Sequence, residues 1–173
     1  GLDAHDLVAL AYGGTLKGSV TVRFSENAYA ANIAANGLDT AELSVLNGQI
    51  GAQMAGRVSG TIYISGRAGQ LVALKTAWTM PSGGKVNAAL LSLLMQYIPM
   101  SQERKRIEAI IQAGGKLKAE VFAFSLASDT PTHLSGAVTL KSREANLEVN
   151  VTHEVNIDGT WDSLGKYWNT ILP

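Results

Sequence analysis

The chain contains no cysteine, which excludes disulfides and thiolate metal sites. Aromatic residues make up only 6% of it and charged residues 16%, and the formal net charge is zero. This composition gives neither an electrostatic nor a stacking basis for binding nucleic acid. Long hydrophobic runs are missing too. The longest, residues 88–95, is interrupted by Ser92 and is too short to cross a bilayer.

No signal peptide is recognisable, and Gly1 leads directly into a predicted strand. With 173 residues, the chain is long enough for one domain with a sizeable core. We therefore expect a single domain or a segment excised from a larger protein, with any targeting segment or membrane anchor in parts outside it.

Regular alternation of apolar and polar residues dominates what is present. In residues 146–157 one face carries Leu147, Val149, Val151, His153, Val155 and Ile157, and the other face is polar. Residues 16–24 alternate likewise, with an apolar face of Leu16, Val20, Val22 and Phe24. A period of two predicts antiparallel strands with one wet face. Further strands are predicted at residues 7–12, 29–36, 57–65, 71–80, 116–127 and 133–141.

A short pattern with glycine at its third position recurs at residues 16–22, 58–64 and 134–140. Its order is apolar, polar, glycine, small, β-branched, polar or tyrosine, apolar. A glycine inside a strand weakens it, so the recurrence indicates a bend, a bulge or a close backbone approach. Chance recurrence in a glycine-rich β protein is the alternative.

Helical patterns interrupt the strands. Asp39 followed by Glu42 predicts the start of a short helix. Residues 86–98 follow helical spacing but are apolar nearly all round, which predicts a deeply buried helix or one packed on a partner. Ser101 is placed to cap a second helix that stops at Gly114.

These patterns divide the chain into three regions. A β region spans residues 7–83, a helical insertion residues 84–115, and residues 116–173 hold β-hairpins and a last helix. The fold class is therefore mainly β with an α+β character: a long, twisted antiparallel sheet, curled into an open groove, with short helices and a helical pair near residues 86–113. The last helix is marked by Trp161, Leu164, Trp168 and Ile171.

One stretch, SGGK at residues 82–85, invites a nucleotide-binding interpretation. A phosphate-binding loop needs glycine where Thr79 stands and serine or threonine where Val86 stands. Because both positions differ, the pattern favours a structural turn.

No other motif indicates chemistry. The histidines His5, His133 and His153 are far apart and lack metal-ligand spacing, and no Gly-x-Ser-x-Gly elbow occurs. Carboxylates fall mostly on polar faces, although a spatially paired carboxylate site is left open by sequence alone. We predict no catalytic residue, no cofactor and no metal, and therefore not an enzyme.

Glycine-containing motifs in the first half give a family resemblance. They are GGTLKG at residues 13–18, YAANI at 29–33, GLD at 37–39 with Leu43, and GRVSGT at 56–61 followed by ISG at 64–66. In this order they resemble the C-terminal region of the bacterial AsmA-like proteins, of the AsmA, TamB and YdbH type. The resemblance covers roughly residues 7–83, and the helical insertion departs from it.

The resemblance implies a periplasmic protein tethered to the inner membrane, linked to phospholipid transport and outer-membrane biogenesis. Its sheet is expected to form an apolar groove in which an acyl chain gains about 0.8 kcal/mol per buried methylene. The candidate lipid-facing residues are Val20, Val22, Phe24, Leu147, Val149, Val151 and Val155.

Two alternatives accompany this interpretation. The first is a structural or protein-interaction β domain whose apolar faces close into a dry core, and the second is an enzyme. The partners that we expect are a phospholipid or another hydrophobic ligand, and a membrane through parts outside this chain, with no nucleic acid. The apolar helix at residues 86–98 also predicts self-association.

Overall fold

The computed structural model describes residues 1–43, 54–96, 98–160 and 162–163. Over these residues the chain is mainly β, as predicted, with ten strands in one long, open antiparallel sheet. The strands are β1 (Leu2–Ala11), β2 (Gly14–Arg23), β3 (Ala28–Asp39), β4 (Met54–Arg67), β5 (Gln70–Thr79), β6 (Gly84–Asn87), β7 (Lys116–Ala119), β8 (Val121–Thr130), β9 (His133–Ser142) and β10 (Leu147–Asn156).

The helices are short. A 3-10 turn spans Phe24–Glu26, and the α-helices are α1 (Thr40–Leu43), α2 (Ala88–Met95) and α3 (Gln102–Gln112). The predicted cap of α3 is confirmed, because Ser101 Oγ accepts from the Arg104 amide at 3.2 Å. The sequence missed the cap of α2, Asn87, whose Oδ1 accepts from the Leu90 amide at 3.0 Å. The predicted C-terminal helix, marked by Trp161, Leu164, Trp168 and Ile171, lies outside the described residues but for Asp162 and Ser163.

The main sheet follows the chain closely. Its order is β1-β2-β3-β4-β5-β8-β9-β10, so that strands adjacent in sequence pair except where β5 meets β8. The β1–β2 and β4–β5 hairpins turn through two residues of positive φ, Tyr12 with Gly13 and Ala68 with Gly69. Paired positive φ values match the right-handed twist of the strands that such tight turns connect.

A smaller branch leaves the main sheet at the start of β4. Residues 54–56 pair with β6, which pairs in turn with β7, whereas the rest of β4 pairs with β3 and β5. At the divergence the hydroxyl of the fully buried Thr40 accepts from the Gly56 amide at 3.1 Å and donates to the Gly56 carbonyl at 3.0 Å. The hydroxyl thus satisfies both backbone groups of a residue at the branch point.

Two predicted strands differ from those observed. The strand predicted at residues 116–127 is two strands, because the chain leaves the β6 ladder at Ala119 and enters the β5–β9 ladders at Val121. Between them, the Glu120 amide donates to the Lys141 carbonyl at 2.9 Å. The strand predicted at residues 16–24 ends at Arg23, and Phe24 begins the 3-10 turn.

The SGGK stretch forms a turn into a strand, not the start of a helix. The Gly83 amide donates to the Met80 carbonyl at 2.9 Å, and Gly84 and Lys85 belong to β6. Met80 is 1% exposed, and a Cβ on Gly84 would lie 2.2 Å from its terminal methyl. The glycine therefore admits a buried methionine.

Two hydrophobic clusters hold the fold together. The larger joins the inner residues of α2, α3, β6 and β7 to one end of the main sheet, and the smaller lies at the other end around Leu71, Leu74, Leu126, Leu134 and Ile157. Helix α2 contributes Leu90, Leu91 and Leu94 to the larger cluster. The deep burial predicted for this helix is therefore provided by the chain's own core. Among its described side chains, only Ala89 and Ser92 are exposed.

Candidate functional site

The main sheet has one apolar face and one polar face, as the alternation predicted. Because directly paired residues lie on the same face, the register groups each face into rows. One row of the apolar face contains Ala9, Leu16, Ala35, Gly60, Trp78, Phe124, Val138 and Val151. The neighbouring row of the polar face contains Val8, Lys17, Ala34, Thr61, Ala77, Ser125, Ala137 and Thr152.

The apolar face is closed over β8–β10. Leu147, Val149 and Val151 are 2%, 5% and 7% exposed and belong to the larger cluster with α2 and α3. These three residues, predicted as lipid-facing, are core residues that no ligand reaches while the helices stay in place. The sequence placed them on the correct face but did not reveal what covers that face.

The remaining predicted lipid-facing residues have three different environments. Val155 is half-buried against the smaller cluster. Phe24 is 73% exposed on the 3-10 turn and is not part of the apolar strand face. Val20 and Val22 lie where predicted, on the apolar face of β2, and are half-buried.

Val20 and Val22 belong to a group of apolar side chains on β1–β4 that lies outside both hydrophobic clusters. We call this group the β1–β4 strip. Its strands are adjacent, and its members are half-buried except for Leu2 and Leu7 on the edge strand, which are 55% and 46% exposed. The strip consists of Leu2, Leu7, Val20, Val22, Ile33 and Ile62.

The sequence did not predict a depression on the opposite, polar face. This open trough of about 600 Å³ crosses β3, β4, β5, β8 and β9, and small side chains such as Ala34, Thr61, Ala77, Ser125 and Ala137 form its floor. The sequence did contain a signal for this depression, because the positions of the polar face that line it are mostly alanine, serine and threonine, whose side chains are short.

Ionisable groups do not converge on a reactive centre in the described part of the chain. No group of three or more histidine, aspartate or glutamate residues there is arranged to hold a metal. The bidentate contact from Arg23 lowers the pKa of the exposed Asp3 carboxyl. The Glu103 pKa is lowered by its own backbone amide and by the Ser101 hydroxyl, as expected for a carboxylate in the first turn of α3.

A second depression, of about 480 Å³, lies between α3 and the β9–β10 turn. It is lined by charged side chains that already have partners: Lys141 Nζ lies 2.9 Å from Glu148 Oε2, and Arg106 donates to the Asn146 carbonyl. Solvated, mutually paired charges of this kind are typical of protein surface.

No family model, no curated protein and no solved structure matches the chain. The resemblance to AsmA-like proteins therefore stays a prediction from the glycine motifs. Among the helices of the described residues, none has the length and hydropathy needed to span a membrane.

Proposed function

We propose that the chain is a non-catalytic segment of an AsmA-like periplasmic protein. In this proposal the β1–β4 strip binds the acyl chains of phospholipids during their transport or during outer-membrane biogenesis. The full-length protein is tethered to the inner membrane through parts outside this chain. No catalytic residue, metal or cofactor is required, because holding an acyl chain needs only apolar surface.

One observation carries the proposal: the strip is apolar, continuous across four adjacent strands, and outside both hydrophobic clusters. Leu2 pairs directly with Val22, and Ile33 pairs with Ile62. At about 4.8 Å per strand the strip is roughly 14 Å wide. Each methylene laid against it leaves water with a gain of about 0.8 kcal/mol.

Photo-crosslinking tests the proposal. A photoreactive amino acid replaces Val20 or Val22 in the full-length protein, which is irradiated in its membranes, purified and analysed by mass spectrometry for attached phospholipid. Thr21 is the matched control, because it lies between the two valines on the polar face. Val149 is the buried control. We expect adducts at positions 20 and 22 and none at positions 21 and 149.

The second candidate function is a structural or protein-interaction domain without a lipid site. The closed core over β8–β10 favours it, because there the apolar face is covered by the chain's own helices. Absence of phospholipid adducts at positions 20 and 22, together with protein adducts there, would support this candidate and contradict the lipid proposal. Self-association through the helix at residues 86–98 has little support, because Leu90, Leu91 and Leu94 are buried in the chain's own core.

A further inference from the structure

The small branch sheet carries an exposed group of lysines. Its inner residues, such as Val86 and Leu117, are buried at 0% and 3% exposure. The outer positions of the same two strands include Lys85, Lys116 and Lys118, all of them exposed. We call these three residues the lysine patch.

The register places like charges against each other. Lys85 is directly paired with Lys118, and Lys116 lies two residues along the same strand and therefore on the same face. The Cβ atoms of directly paired residues are about 5 Å apart, and like charges in such pairs are destabilising. The repulsion between the paired lysines therefore destabilises the branch sheet, and a bound anion removes this repulsion.

No carboxylate offsets the patch within its ladders. The residues paired with Lys85 on β4 and with Lys116 on β6 are Ala55 and Asn87. The nearest acid along the chain, Glu120, accepts from the Arg143 amide at 2.7 Å. None of the ion pairs found among the described residues includes a lysine of the patch.

We propose that the lysine patch docks the protein onto the surface of an anionic phospholipid membrane. The three lysine side chains are flexible and lie on one face of the β6–β7 ladder, so their ammonium groups can each contact a different phosphate of a lipid surface. Arginine, which is absent from the patch, is the residue that recognises a single carboxylate or phosphate bidentately. Because the formal net charge of the chain is zero, attraction to an anionic surface must come from a local patch such as this one.

This site is separate from the β1–β4 strip. The strip is proposed to hold acyl chains, whereas the lysine patch contacts headgroups and needs no lipid to leave the bilayer. Either proposal therefore stands or fails without the other, and membrane docking is measured without any lipid transfer.

Vesicle co-sedimentation tests the docking. The whole chain is mixed at low ionic strength with vesicles of phosphatidylcholine alone or of equal parts phosphatidylcholine and phosphatidylglycerol. The test variant carries Lys85→Gln, Lys116→Gln and Lys118→Gln. The control variant carries Lys17→Gln, Lys75→Gln and Lys105→Gln, which removes the same charge from three exposed lysines elsewhere. Circular dichroism verifies that both variants are folded.

We expect binding to the anionic vesicles only, lost at about 1 M salt, where the Debye length falls to about 3 Å. The test variant should lose partitioning by on the order of 100-fold, because each lysine near an anionic surface contributes about fivefold. The control variant should bind like the unmodified chain. Equal loss in both variants would overturn the proposal. So would salt-insensitive binding to neutral vesicles, or patch-dependent binding of polyglutamate without vesicle binding, which would indicate an acidic protein partner instead.

Discussion

The indole of Trp78 lies across the backbone of Gly60 on the neighbouring strand. A Cβ added to Gly60 would meet the Ala77 carbonyl oxygen and would lie 2.6 Å from one indole carbon of Trp78. The indole also stacks on Phe124, with ring centroids 6.4 Å apart, and its Nε1 donates to Thr76 Oγ1 at 2.6 Å. The glycine at the third position of the second repeat thus leaves room for the stacked pair of Trp78 and Phe124.

Gly60→Ala should therefore destabilise the fold by about 1–3 kcal/mol, because the new methyl group meets both the Ala77 carbonyl oxygen and the Trp78 indole, and one of them must shift. Gly136→Ala is the matched control. It occupies the equivalent position of the third repeat, where an added Cβ has no neighbour nearer than 3.6 Å. Urea unfolding of the two variants measures the difference, and equal losses would contradict the close packing described at Gly60.

At the buried end of β8 the side chain of Ser128, and not a backbone group, provides the hydrogen bonds to the neighbouring strand. Its Oγ accepts from the Leu74 amide at 2.7 Å and donates to the Leu74 carbonyl at 3.3 Å. Ser128→Ala leaves both backbone groups without this partner and should cost about 1–3 kcal/mol in the free energy of unfolding. Ser125→Ala, at an exposed position of the same strand, should change it by less than about 0.5 kcal/mol. Indistinguishable urea midpoints would argue against this bond.

Arg104 ties α3 to the end of α2. Its Nη1 donates to the carbonyls of Met95 and Ile98 at 3.0 and 2.7 Å, and its Nε lies 3.2 Å from Glu108 Oε1. Arg104→Lys keeps the charge but loses the planar guanidinium, whose Nη1 donates to both carbonyls while its Nε faces Glu108, so we expect a loss of about 1–2 kcal/mol in thermal or urea unfolding.

The variant Glu108→Gln distinguishes the contribution of the carbonyl contacts to stability from that of the Arg104–Glu108 ion pair. It removes only the partly exposed Arg104–Glu108 pair and should cost less than about 0.5 kcal/mol. If Glu108→Gln proves as costly as Arg104→Lys, the ion pair and not the carbonyl capping holds the two helices together.

Asp3 should make the stability of the β1 edge depend on pH. Arg23 and Thr21 lower its folded-state pKa below the ordinary value of 3.8. A depressed carboxyl pKa stabilises the fold fully above the unfolded-state value, and the contribution disappears as the pH falls through the folded-state value. Asp3→Asn should therefore lower the urea midpoint at neutral pH, and the difference should shrink as the pH falls through the folded-state pKa of Asp3.

The control for this titration is Asp6→Asn, at an exposed residue of the same strand whose φ of 53° asparagine tolerates. We expect its urea midpoint at neutral pH to match that of the unmodified chain, because Asp6 has no ion pair among the described residues. A constant difference between Asp3→Asn and the unmodified chain from neutral to acid pH would show that Asp3 acts through packing and not through its charge.

The strands and their faces were predictable because alternation is a local property. The break between β7 and β8 was missed, because residues 116–127 were predicted as one strand. In the structure the buried residues are Leu117 and Ala119 before the break and Phe122 after it, so the phase of the alternation shifts at Glu120. Strand β6 has only four residues, and the last two, Val86 and Asn87, fall within the predicted helix at residues 86–98, so periodicity gave no separate signal for it.

The candidate site was only partly predictable. Alternation placed Val20 and Val149 on the same face of the sheet, but it contains no information about which strands the helices cover. That coverage depends on the branch of β4, whose residues 54–56 pair with β6, the strand that leads directly into α2. Such a long-range pairing leaves no local trace in the sequence.

The strand order also determines how the chain is expected to assemble. Within β1–β5 and within β8–β10, each ladder of the main sheet joins strands that are consecutive along the chain, so loop closure costs little entropy. In the main sheet, only the ladder of residues 75–79 with 123–127 joins strands that are separated by a long stretch of chain, from Met80 to Glu120. This ladder has the largest loop to close. Two ribbons should therefore form early and join late along that seam, and the lysine patch is assembled only when β6 and β7 pair across the same part of the chain.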